Sequence, residues 1–137
     1  MRRILFGILA VVIVLGAAYF YMSNDNQKDK KVWDQLRNQL TAENIKEISL
    51  DNAVLETDEF TEVISLIRKS EFDKSNRVEH GPTPVSIITI VFVDGIKINV
   101  GYWGGTTFEL SPEHIDIESQ FLVTNDVLGD WINSTKR

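Results

Sequence analysis

The chain has two histidines, His80 and His114, each preceded by a glutamate, Glu79 and Glu113. Imidazoles and carboxylates together could hold a divalent cation or move a proton. Zinc hydrolases place such groups as HExxH, with two ligands one helical turn apart. Here the histidines lie 34 positions apart. A site would have to gather Glu79, Glu113, Asp116 or Glu118 from separate loops. Glu113, Asp116 and Glu118 also lack the regular spacing and central glycine of a calcium loop. A paired-carboxylate hydrolase leaves no spacing signature to find. No GxSxG or SxxK motif offers a serine nucleophile. The chain has no cysteine, which excludes thiolate metal sites, a cysteine nucleophile, disulfides and lipidation at a lipobox. The expectation is a non-enzymatic protein with no catalytic set, no metal and no cofactor.

Recognition chemistry has one candidate, the run Gly101-Tyr102-Trp103-Gly104-Gly105. It follows a strand pattern and leads to more strand, so it lacks the helix N-terminus that a phosphate loop needs. Adjacent residues on a strand point to opposite faces. Tyr102 continues the Ile98 and Val100 face and belongs to the core. Trp103 falls on the face of Lys97 and Asn99. The candidate protein-binding patch is therefore Trp103, Lys97, Asn99, Gly104 and Gly105. The competing reading covers Trp103 with a helix, a loop or residues 82–84.

The elements that must position these residues follow from periodicity. Val32, Trp33, Leu36 and Leu40 recur at one-turn spacing and predict a helix. Residues 44–50 and 53–56 read as short strands about an Asp51-Asn52 turn. Thr57 or Asp58 caps a helix with Phe60, Val63, Ile64 and Ile67 on one stripe and Arg68 and Lys69 in its last turn. Residues 71–84 are polar, end in Gly81-Pro82-Thr83-Pro84, and predict a loop. Residues 85–93 are apolar on both faces and predict a central strand. Asp94-Gly95 predicts a two-residue type I′ turn into a return strand over 96–102. Residues 106–110 and 120–124 predict further strands. Ser111-Pro112-Glu113 between them suggests a capped turn with proline at a first helical position. Asn125 or Asp126 caps a closing helix carrying Val127, Leu128, Trp131 and Ile132. The fold class is α+β: a mainly antiparallel sheet of four to five strands with helices packed on one face.

Ahead of this domain lie Arg2 and Arg3 and then 19 uncharged residues, 4–22. As a helix that run spans ~28 Å, close to the ~30 Å of a bilayer core. It has no polar face, so the expected partner is the lipid bilayer, through residues 4–22. Ile4 and Leu15 belong to the apolar stretch, and Tyr19 and Tyr21 to an aromatic belt at its far end. Gly16-Ala17-Ala18 offers a signal-peptidase alternative, but length favours the uncleaved anchor. The division read here is an anchor over 1–23, a polar tether over 24–31 and a soluble domain over 32–137. Arg2 and Arg3 favour a cytoplasmic N-terminus, with the domain in the periplasm or at the cell surface. Lys28, Lys30 and Lys31 weaken that asymmetry.

Net charge completes the reading. The chain carries −6, and residues 24–137 hold 12 basic against 20 acidic side chains. That balance argues against nucleic acid, whose phosphates need clustered lysine and arginine. It suits a protein partner, and a basic one in particular. The function expected is an anchored extracytoplasmic domain that binds a protein or envelope component, for example as an immunity-type inhibitor. An accessory subunit of a membrane complex and a secreted small-ligand binder are the alternatives.

Overall fold

The computed structural model describes residues 2–76, 82–113 and 119–136, with side chains from residue 13 onward. The chain is α+β, with three helices and seven strands in one wholly antiparallel sheet among the described residues. In chain order these are α1 (Arg2–Gln39), β1 (Ile45–Leu50), β2 (Ala53–Val54), α2 (Thr57–Arg68) and β3 (Glu71–Ser75). Then come β4 (Ser86–Phe92), β5 (Lys97–Tyr102), β6 (Thr107–Glu113), β7 (Phe121–Thr124) and α3 (Leu128–Thr135). The sheet order is β2-β1-β4-β5-β6-β7-β3.

One core forms between the helices and one sheet face. Trp33 and Leu36 enter it from α1 and Leu40 from just past its end, Val63, Ile64 and Ile67 from α2, and Leu128, Trp131 and Ile132 from α3. Ile48, Ile88, Ile90, Ile98, Val100, Phe108, Leu110, Phe121 and Val123 meet them from the strands. Trp33 packs on Phe121 with ring centroids 6.1 Å apart, and Tyr102 stacks on Phe108 at 5.0 Å. Among the described residues, the opposite face of the sheet carries no helix. Alternation along β4 shows the asymmetry: Ser86, Ile88, Ile90 and Phe92 are buried while Ile87 is 37% exposed. The apolar outer residues that suggested a doubly covered strand instead line an open face.

Five further expectations change. The sheet has seven strands rather than four to five, because β3 forms where a loop was expected. Its one apolar side chain is Phe72, which meets Phe121 at 5.8 Å, and it pairs with β7 through a register shift between Phe72 and Lys74. So polar a strand survives by its pairing, since its own residues carry almost no β signal. Residues 111–113 continue β6, with Pro112 opposite Ile98. Beyond the Leu110–Phe121 pair β6 has no β7 partner, so proline there forfeits no ladder bond on that side.

The β4–β5 turn is a three-residue loop, not a type I′ turn. The Gly95 N–H donates to the Phe92 carbonyl at 3.0 Å, the Phe92 N–H donates to the Ile96 carbonyl at 2.8 Å, and only Gly95 has positive φ, +91°. A type I′ turn needs two such residues. They occur at Asp51 and Asn52, φ +50° and +69°, between the Leu50–Ala53 pair of β1 and β2. The N-cap of α2 is Glu56, whose N–H donates to the Glu59 carboxylate at 2.9 Å.

Residues 24–31, expected as a tether, are turns of α1. Asn26 accepts the Ser75 N–H at 2.8 Å, and Asp29 is fully buried. Polar residues here face β3, so hydrogen bonding holds a helix that hydrophobic periodicity does not announce. Among the described residues, no helix is long and apolar enough to cross a membrane. Side chains are described only from Ile13, which takes in the second part of the uncharged run.

Candidate functional site

The helix-free face of the sheet holds a groove of ≈ 500 Å³ over β4, β5, β6 and β7. Pro82, Thr83 and Pro84 form one wall; Ile87, Gly101, Trp103 and Leu122 supply apolar surface; Asn76, Asn99, Glu109, Ser111 and Gln120 supply polar groups. Antiparallel pairing sets its floor: Gly101 lies opposite Glu109, and Asn99 opposite Ser111.

Trp103 is the largest side chain here and is half-buried. Its ring lies over Gly101, where an added Cβ would come within 3.0 Å of it and 3.6 Å of Pro84. Its indole N–H donates to the Pro82 carbonyl at 2.7 Å. Glycine at 101 thus leaves the space that the indole fills, and residues 82–84 pin the ring without enclosing it. Tyr102, one residue earlier, is buried in the core.

Two hydrogen-bonded sets order the polar floor. Thr89 Oγ1 donates to Asn99 Oδ1 at 3.0 Å, and Asn99 Nδ2 donates to Glu113 Oε1 at 2.6 Å. Glu109 accepts at both oxygens, from Asn76 Nδ2 and, at 2.7 Å, from Gln120 Nε2. Each of these amides is oriented by the partner it bonds.

The residues singled out from sequence are only partly gathered. Trp103 and Asn99 line the groove. Lys97 is exposed at the far end of β5, opposite Glu113 and Val91. Gly104 and Gly105, φ +102° and +79°, make the β5–β6 turn. The Gly105 carbonyl sits 3.1 Å from where a Cβ on Gly129 of α3 would stand, so this turn belongs to the α3 end of the molecule. Sequence reasoning missed Asn76, Glu109 and Gln120. Alternation marks Glu109 as outward-facing, but only the register places it beside Trp103.

His80, His114, Glu79, Asp116 and Glu118 lie outside the described residues. Among the described residues no group of three His, Asp or Glu side chains is placed to hold a metal ion. Leu15, Tyr19 and Tyr21 are highly exposed on α1, and the Ile4 side chain lies outside the described set. The chain matches no family model, and neither a curated protein nor a solved structure shows significant similarity to it.

Proposed function

We propose that this protein is a non-enzymatic, single-pass, membrane-anchored domain carried outside the cytoplasm. Its helix-free sheet face binds a protein or other envelope component. The observation that carries the reading is the exposed surface of α1. Ile13, Val14, Leu15, Tyr19, Phe20, Tyr21 and Met22 are each between 61% and 76% exposed, on all sides of the helix. At ~25 cal/mol per Å² of apolar area, leaving such a girdle in water is unfavourable, and lipid removes that cost. The preceding residues 4–12 are uncharged too. The binding half of the proposal is supported by the groove, where a pinned tryptophan stands among oriented amides.

The full chain is expected in the membrane fraction after carbonate washing, and in the soluble fraction once residues 4–22 are removed. A reporter fused after Arg137 that is active only outside the cytoplasm is expected to be active. Release of the full chain by carbonate would sink the anchor, and a silent reporter would reverse the orientation.

A further inference from the structure

Among the described residues that line the groove, Glu109 is the one ionised side chain, and none is lysine or arginine. Glu109 is half-buried and makes no ion pair among the described residues; its two oxygens are held by the neutral amides of Asn76 and Gln120. Neutral donors fix a carboxylate in place without cancelling its charge, so a partly desolvated anion is left to be compensated. Gly101 is its cross-strand partner, and the Trp103 ring fills the space over Gly101. Directly paired positions hold their side chains about 5 Å apart. A fixed anion and an indole therefore stand side by side.

Building on the partner-binding reading of this face, we propose that the groove takes a cationic side chain from an extended basic segment of a protein partner. Arginine fits best: its planar guanidinium stacks on an indole while donating to a carboxylate. Ile87, Leu122 and Pro84 offer an apolar wall for the aliphatic stem. The excess of 20 acidic over 12 basic side chains in residues 24–137 steers a basic partner toward the domain. A neutral glycan could also use the indole and amides, but it would leave Glu109 uncompensated.

The test titrates the full chain in micelles with acetyl-Gly-Arg-Gly-amide and with its citrulline counterpart, which keeps the shape and loses the charge. Fluorescence reports on half-buried Trp103, since Trp33 and Trp131 are buried. The arginine peptide is expected to bind about tenfold tighter than the citrulline peptide, less so at high salt. Glu109→Gln should erase that preference. Equal affinity, no arginine binding at millimolar peptide, or a preference for a neutral chito-oligosaccharide overturns the proposal. The wild-type comparison needs no variant, so it decides even if Glu109→Gln misfolds. A photo-crosslinker at Ser111 separates the two claims in cells. A protein adduct with equal peptide affinities keeps the partner-binding face and removes the cation site; no adduct and no arginine preference remove both.

Discussion

Asn125 joins two helices through one side chain. Its amide nitrogen donates to the Leu66 carbonyl at 2.7 Å and to Ser70 Oγ at 3.0 Å, at the end of α2. Its oxygen accepts the N–H groups of Val127 and Leu128, both at 2.9 Å, at the start of α3. Asn125→Ala should destabilise the domain by about 2 kcal/mol, because it leaves part-buried helix-end groups unsatisfied. Thermal unfolding should show a drop of several degrees, with Asn125→Asp intermediate because it keeps the acceptor. The capping half of this role was legible, since asparagine before an amphipathic run is a cap signal. The reach back to Leu66 was not, because no local pattern encodes a contact 59 residues away.

Asp51 is a residue whose ionisation is coupled to folding. Partial burial raises its pKa, but the Ile87 N–H, the Ser86 hydroxyl and Lys136 together outweigh that and hold the carboxyl below the usual range. The folded value is thus depressed. Its stabilisation is fully present above the ordinary aspartate value of ~3.9 and is lost as pH falls through the lower folded one. Acid unfolding of Asp51→Asn should accordingly show a shallower loss of stability in that window. An identical slope would mean that the Ile87, Ser86 and Lys136 contacts together do not couple Asp51 ionisation to folding.

At the scale of elements, α1 departs furthest from its sequence pattern. Its buried positions Asp29, Val32, Trp33 and Leu36, with Leu40 just past its end, keep helical spacing, yet the first is a carboxylate. A pattern of apolar residues finds the stripe only from Val32. Limited proteolysis tests the consequence. Lys28, Lys30 and Lys31 lie in a helix docked on β3, so trypsin should cut there slowly relative to a flexible control linker. Rapid cleavage would restore the tether. The β4–β5 hairpin was legible as a hairpin from Asp94-Gly95, but its loop length depends on φ at Asp94, which composition does not fix. The β5–β6 register was hidden likewise. A two-residue turn at Gly104-Gly105 would set Trp103 against Thr106; instead Tyr102 opposes Phe108, and that offset brings Glu109 beside the indole.

Considered whole, the described residues place all three helices on one side of the sheet and leave the other side without one. The α+β class and the wet Trp103 face followed from alternation, whereas the groove followed from pairing no periodicity contains. Its edges differ. At one end β2 is two residues long; at the other, β3 carries charged residues and has α1 alongside. Short or covered edges offer little to another chain's backbone, so side chains rather than strand addition should dominate recognition.

The unbroken helix from Arg2 to Gln39 has a further consequence. A domain on a loose linker searches a hemisphere, diluting its binding face over that volume. With α1 held in a bilayer, the domain can swivel about the helix axis but cannot rise or tip freely. Its groove then sweeps a thin annulus at one height, and its effective concentration toward a partner fixed at that height is high. Toward one only a few helical turns higher it falls to almost nothing.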